Sequence, residues 1–153
     1  MSELGKFSVV STIQIKGDPP KTTAQQKKVA IVNGRPRMYA PKRLKMARSY
    51  LVGNLRHLRP KSPLKGVLGL HVRWCFKNPK GKKGERYKIT RPDTDNLQKL
   101  LKDCMTECGF WEDDAQVAFE VAEKLYSDEP RLEICIMAER EEHERKTKGV
   151  PKA

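Results

Sequence analysis

The chain has 153 residues, a third of them charged, and a formal net charge of +13 at pH 7. This length suits one domain, and the periodic grouping of the apolar residues excludes a chain that is disordered throughout. We expect a single domain over residues 1–140 and a charged, flexible tail over residues 141–153. No apolar run is long enough to span a bilayer, and the N-terminus lacks a signal-peptide pattern, so the sequence predicts a cytoplasmic protein.

Charge is divided unevenly along the chain. Residues 1–92 hold 23 Lys and Arg against three Asp and Glu, a net +20, whereas residues 93–153 hold nine against 16, a net −7. Positive charge at this density attracts polyanions, so a nucleic acid is the leading partner. A basic surface kept for solubility and an anionic membrane surface remain alternatives.

Three elements are predicted in the first 60 residues. FSVVSTIQIK, residues 7–16, is rich in β-branched residues and predicts a strand. The pair NG at 33–34 lies between two short β-prone runs and predicts a hairpin. Residues 41–58 predict a helix, because apolar residues recur along one side at Leu44, Ala47, Leu51 and Leu55. The basic residues of the hairpin and helix that we expect to contact nucleic acid are Lys27, Lys28, Arg35, Arg37, Lys42 and Arg43.

The remaining elements alternate between sheet and helix. GVLGLHVRWCF, residues 66–76, alternates as a strand with one buried side, and the lysine-rich loop after it could follow a phosphate backbone or be a solvated hairpin tip. Residues 94–109 form the clearest predicted helix, and residues 115–126 and 132–137 two more strands. The further candidate nucleic-acid contacts here are Arg73, Lys80, Lys82 and Lys83. The pattern predicts an α+β fold in which a small mixed β-sheet packs with two main helices.

The four cysteines do not form a metal motif. Cys75, Cys104, Cys108 and Cys135 contain no CxxC pair, and the three histidines are scattered, so the sequence does not predict zinc. Cys104 and Cys108 lie one turn apart on an apolar helix face, which predicts buried, reduced thiols.

RPDTDN, residues 91–96, places two carboxylates where a strand is expected to turn into the second helix. In an extended segment Asp93 and Asp95 would project to the same side and would need a cation between them. Mg²⁺ suits such oxygen ligands and Mn²⁺ could replace it. The alternative is a purely structural one, in which Asp95 caps the helix and Gln98 completes a capping box.

Further polar residues favour the first interpretation. Lys99 and Asp103 follow Asp95 at one-turn intervals, so all three share the polar face of the helix. Asp113 and Asp114 precede the next strand, and a chain that returns along the helix could bring one of them to Asp93 and Asp95. Such a site could cleave a phosphodiester, with Lys99 stabilising the developing charge; an ordinary surface ion pair is the alternative for Lys99.

The segment DTDNLQKLLKDCMTECGFWEDDAQV resembles the signature of the RusA family of Holliday junction resolvases, small endonucleases of phages, prophages and some bacteria. The resemblance rests on the motifs DxDNLxK and WxDDAQV, which stand at the family's spacing. It is looser in the first half of the chain. It implies that Asp93, Asp95 and Asp114 bind the metal, that Lys99 is the catalytic lysine, and that Asp103 and Asp113 support them.

The same resemblance implies an α+β homodimer that cuts paired strands of four-way DNA junctions with Mg²⁺, in a bacterial or phage-infected cytoplasm. Two alternatives remain at this stage. One is a nucleic-acid-binding protein without catalysis, and the other is a nuclease that acts on flaps or forks.

Overall fold

The computed structural model describes residues 5–23, 28–39 and 41–140. Within these ranges, seven strands and two α-helices follow one another in the order β1, β2, β3, α1, β4, β5, α2, β6, β7. Their bounds are β1 Phe7–Lys16, β2 Lys28–Val32, β3 Arg35–Tyr39, α1 Lys42–Leu55, β4 Leu68–Lys77, β5 Arg86–Tyr87, α2 Thr94–Cys108, β6 Val117–Ser127 and β7 Arg131–Glu139. The α+β fold with a mixed sheet and two main helices is confirmed. In the described residues no helix is long and apolar enough to cross a membrane.

The main sheet has five strands in the order β1-β7-β4-β6-β5. Neighbouring strands pair antiparallel, except β4 and β6, which are parallel. A parallel pair cannot be joined by a tight turn, so the chain crosses over between β4 and β6 through β5 and α2. This crossover puts α2 along β6 in the opposite direction.

Both predicted helices bury the faces that the sequence indicated. In α1 the buried residues are Leu44, Ala47, Leu51 and Leu55. In α2 they are the apolar residues Leu97, Leu100, Leu101, Cys104, Met105 and Cys108, together with Gln98. The helix ends at Gly109, which adopts the left-handed conformation (φ 86°) that glycine reaches without strain. Burial keeps the cysteines of α2 free and protonated, and it raises the pKa of Cys104 to about 12.

The core lies between the helices and one face of the sheet. β4 contributes alternate side chains, Leu68, Leu70, Val72, Trp74 and Phe76, all fully buried. The opposite face of β4 presents His71 and Arg73, which are only partly buried, and neither of the described helices covers this side. The sheet therefore has one covered face and one open face.

The predicted hairpin of β2 and β3 forms a separate two-stranded sheet. Its turn residues Asn33 and Gly34 both have positive φ, 52° and 73°, as a type I′ turn requires. The cross-strand pairs Val32 with Arg35 and Ala30 with Arg37 put both arginines on one face.

Candidate active site

The N-terminus of α2 exposes two carboxylates. Asp93 is the N-cap residue, with extended backbone (φ −75°, ψ 149°), and Asp95 lies in the first helical turn. The side chain of Asp93 makes no capping hydrogen bond. The interpretation of Asp95 as a cap with Gln98 as its capping-box partner is therefore wrong, as is the extended geometry expected for Asp95. Carboxylates near a helix N-terminus are favoured by the exposed N–H groups and the helix dipole.

Gln98 has a different function, which the sequence did not reveal. Its side-chain oxygen accepts a hydrogen bond from Trp74 Nε1 at 2.8 Å, and its nitrogen donates to Glu120 Oε2 at 3.2 Å. Lys102 of α2 also reaches Glu120, at 3.2 Å. These contacts join the N-terminal half of α2 to β4 and β6. The available signal was Trp74 on the apolar face of β4, since a buried indole N–H needs an acceptor.

The segment before α2 is held by Lys124 of β6. Lys124 Nζ donates to the backbone oxygens of Thr90, at 2.7 Å, and Pro92, at 2.8 Å. The backbone N–H of Lys88 donates in turn to the Lys124 carbonyl oxygen at 2.8 Å. The residue immediately before Asp93 is thus tied directly to the sheet, which fixes where the acidic pair begins.

Lys99 lies one turn after Asp95 and is largely exposed. Its nearest acidic partner is Asp103, with 3.8 Å between Lys99 Nζ and Asp103 Oδ2. An exposed pair of this length contributes little to stability, so the ammonium group can turn to another anion at low cost. The predicted sharing of one helix face by Asp95, Lys99 and Asp103 agrees with the helix that the structure forms.

Asp113 and Asp114, the two aspartates that follow α2, lie in different environments. Asp113 caps a short 3₁₀ helix over residues 114–116, and Asp113 Oδ1 accepts from the Ala115 N–H at 2.8 Å. Gln116 closes the turn by accepting from the Asp113 N–H at 3.1 Å. Asp114 is partly buried, and no described residue bonds to its carboxylate. Gln116 also donates to the Leu64 and Gly66 carbonyl oxygens, at 3.0 and 3.1 Å, which anchors this turn to the chain before β4.

The five predicted aspartates of the site therefore fall into two sets. Within the described ranges, the side chains of Asp93, Asp95 and Asp114 have no hydrogen-bond or ion-pair partner, whereas Asp103 and Asp113 are engaged by Lys99 and by the 3₁₀ turn. Unpartnered carboxylates are hard oxygen donors that suit Mg²⁺, which is often held by only one or two carboxylates plus substrate phosphates. The donor chemistry fits such an ion.

Within a single chain, Asp114 does not lie near Asp93 and Asp95. Because α2 runs antiparallel to β6, Lys124 lies beside Pro92 while Glu120 lies beside Gln98 and Lys102. Asp114 precedes β6 and so lies toward the far end of α2, a helix of 15 residues and about 22 Å. Among residues 5–23, 28–39 and 41–140, no three Asp, Glu, His or Cys residues form a metal-binding group.

The predicted DNA-contacting residues lie on several surfaces. Lys27 falls outside the described residues, and so does the side chain of Lys28. Exposed in the structure are the two hairpin arginines, the start of α1, and the loop after β4, at Arg35, Arg37, Lys42, Arg43, Lys80, Lys82 and Lys83. The loop after β4 is fixed at its base, since Asp128 accepts from the Gly84 N–H at 2.9 Å and from Asn78 at 2.7 Å.

Arg73 differs from the other basic candidates. Its guanidinium lies 3.2 Å from Glu133, 3.4 Å from Glu123 and 3.6 Å from Glu85, on the open face of the sheet. Three nearby carboxylates already balance its charge, so it has less attraction left for a phosphate than an exposed lysine has. A role of Arg73 in DNA binding stays a prediction.

The protein is a small, basic α+β domain that exposes free carboxylates beside a lysine. A sequence model of the family described as endodeoxyribonuclease RusA matches residues 18–137. The chain therefore belongs to the RusA family of endodeoxyribonucleases.

Individual relatives agree with this assignment. A crossover junction endodeoxyribonuclease rusA of Lactococcus phage r1t is 34% identical over 121 residues, which cover 78% of this chain and 91% of the phage protein. The uncharacterized protein YqaN of Bacillus subtilis is 30% identical over 118 residues, 70% of this chain and 82% of its own length. The crossover junction endodeoxyribonuclease RusA of Escherichia coli K12 is 47% identical over 47 residues, 30% of this chain and 39% of its own.

Proposed function

We propose that this endodeoxyribonuclease resolves four-way DNA junctions by paired symmetric nicks and that it requires Mg²⁺, which Mn²⁺ can replace. One observation carries the proposal. Of the five aspartates in the motif, Asp93, Asp95 and Asp114 have no side-chain partner among the described residues, whereas Asp103 and Asp113 are engaged. A binding protein without catalysis would have no use for free carboxylates on a surface that must approach phosphates.

Asp93 and Asp95 would hold the ion, with the phosphate of the substrate supplying further oxygens. The bound ion would supply Lewis-acid polarisation of the scissile phosphate. Lys99 lies one turn along the same helix face, and its ammonium group can stabilise negative charge that develops on the phosphate oxygens. Lys124 and Gln98 hold the helix start in place, so that these side chains are positioned before DNA binds.

Asp114 would complete the site across a homodimer. It lies toward the opposite end of α2 from Asp93 within one chain, so a contribution to the same ion has to come from a second copy. A two-fold dimer then has two composite sites, each with Asp93 and Asp95 of one protomer and Asp114 of the other. Two symmetric sites match two symmetric nicks.

The basic first half, with its net +20, would hold the junction arms. Exposed cations on the hairpin, at the start of α1 and in the loop after β4 can each neutralise phosphates without reading sequence. We infer that residues 1–140 form this nuclease domain and that the protein works where the DNA is, in the cytoplasm of a bacterial or phage-infected cell.

A cleavage assay on a synthetic four-way junction tests the activity. The wild-type protein should nick opposite strands at symmetric positions when Mg²⁺ is added, and Asp95→Asn should lose nicking while it still binds the junction. Glu112→Gln is a matched control, because Glu112 is an exposed neighbour of the acidic pair outside the proposed site. Tight junction binding without any nicking by the wild type would instead favour a binding protein, and preferential cutting of flaps or forks would change the substrate.

Subunit mixing tests the composite site separately. Asp95→Asn and Asp114→Asn homodimers should each be inactive, but a heterodimer of the two would contain one intact site. Mixing the two variants and allowing their subunits to exchange should therefore restore nicking of one strand. If heterodimers form and remain inactive, all three carboxylates belong to one protomer's site and the composite arrangement is wrong.

A further inference from the structure

The segment between β5 and α2 reverses the usual placement of charged and apolar side chains. Lys88 is 8% exposed, whereas the next residue, Ile89, is 94% exposed. Lys88 Nζ bonds to Thr90 Oγ1 and to Tyr126 Oη and lies 5.0 Å from the centre of the Tyr126 ring. Burying lysine while exposing isoleucine runs against the ordinary distribution of both residue types. The reversal makes Ile89 a candidate for contact with a partner.

Ile89 does not lie on a loose loop. The Lys88 N–H donates to the Lys124 carbonyl oxygen at 2.8 Å, and Lys124 Nζ donates to the Thr90 carbonyl oxygen at 2.7 Å. The backbone is therefore bonded to β6 on both sides of Ile89. An apolar side chain held outward on a fixed backbone loses little conformational entropy when it packs against a partner.

The residues around Ile89 indicate that its partner is DNA. Ile89 and Tyr87, which is 68% exposed, are two residues apart, and both present apolar surface to solvent. The loop that leads into this segment exposes Lys80, Lys82 and Lys83, and Arg91 is exposed on the other side. Two side chains are too few for the core of a stable protein interface, whereas an apolar side chain flanked by phosphate-binding cations is the arrangement with which proteins wedge apart stacked bases.

The distance to the acidic residues fits this role. Asp93 is the fourth residue after Ile89, so their Cα atoms are at most about 14 Å apart. With about 3.4 Å between successive nucleotides of a strand, this spans no more than about four nucleotides. A base displaced by Ile89 would lie within a few nucleotides of a phosphate held at Asp93 and Asp95.

We propose that Ile89 is a wedge that packs against an unstacked base at the branch point and so positions the scissile phosphate at the acidic end of α2. Tyr87, two residues earlier in the chain, is held by a hydrogen bond from its hydroxyl to Glu123 at 3.2 Å. Ile89 is a positioning residue in this scheme, since it touches a base and not the reacting phosphate. The inference rests on the proposed junction-resolving function and adds to it how the branch point is recognised.

The test uses junctions that carry 2-aminopurine, whose fluorescence rises on unstacking, beside the branch point. Wild-type protein, added without divalent ions, should raise the signal. Ile89→Ser should abolish that rise and slow single-turnover nicking at least about tenfold, while junction Kd changes less than about threefold. Ile89→Met should retain both activities, because an apolar side chain of similar reach can replace isoleucine. Val9→Ser is the control, because Val9 is also an exposed β-branched residue but lies on β1, at the opposite edge of the sheet.

The outcomes separate the wedge from the function on which it rests. If the wild type nicks junctions and Ile89→Ser gives the same fluorescence rise and rate, the wedge is wrong and the function stands. If Ile89→Ser changes the oligomeric state measured by light scattering, the residue belongs to a protein interface and the wedge is also wrong. If the wild type neither binds nor nicks branched DNA, both proposals are overturned together.

Discussion

Replacing Gln98 by leucine should lower the free energy of unfolding by about 1.5 to 4 kcal/mol. The substitution leaves the Trp74 N–H without an acceptor in a fully buried site, which costs about 1–3 kcal/mol. It also removes the bond to Glu120, which is partly exposed and contributes about 0.5–1 kcal/mol. Urea unfolding followed by tryptophan fluorescence measures the change, and Trp111 remains as a reporter when Trp74 is replaced.

A double-mutant cycle with Trp74→Phe isolates the buried hydrogen bond. Trp74→Phe removes the donor, so Gln98→Leu should cost about 1–2 kcal/mol less in that background than in the wild type. Because Gln98 fixes the start of α2, Gln98→Leu should also slow junction nicking more than it weakens junction binding. A loss of stability below about 1 kcal/mol, or no coupling between the two substitutions, would refute the argument that this bond anchors the acidic helix.

Three further predictions concern neighbouring parts of the molecule. Lys124→Met should slow nicking about tenfold or more with little change in junction affinity. The reason is that the Thr90 and Pro92 carbonyl oxygens lose the ammonium group that fixes the segment before Asp93. An unchanged rate in a folded variant would show that this segment needs no such support. Hydrogen bonds from His71, and then Tyr87, hold the pKa of Glu123 below its ordinary value of 4.5. The stability that ionised Glu123 contributes is therefore complete above pH 4.5 and is lost as the pH falls through the lower pKa of the folded state. In urea unfolding from about pH 6 to 3, the free energy of unfolding should fall less steeply for Glu123→Gln than for the wild type, and parallel curves would contradict this. Log K for junction binding should fall linearly with log salt, with a slope shallower by about one for Arg37→Ala, and an unchanged slope would remove Arg37 from the phosphate contacts.

Local sequence pattern was sufficient for the elements that carry the site. Apolar residues at helical spacing in α2, and the strict alternation in β4, determine which side of each element is buried whatever it packs against. The turn at Asn33 and Gly34 and the end of α2 at Gly109 depend on backbone preferences of single residues. The placement of Asp95, Lys99 and Asp103 on one face follows from helix geometry alone.

Long-range pairing decided what the sequence could not. The parallel pairing of β4 with β6 sends α2 antiparallel to β6, and this separates Asp114 from Asp93, against the expectation that the returning chain would unite them. Gln98 and Lys124 acquired their anchoring roles only through partners more than 20 residues away. The same holds for Ile89. It is exposed because the Lys88 side chain bonds to Tyr126 and the Lys88 backbone N–H bonds to the Lys124 carbonyl oxygen. Periodicity describes one element at a time, whereas these features depend on which elements meet, and that is a property of the tertiary structure alone.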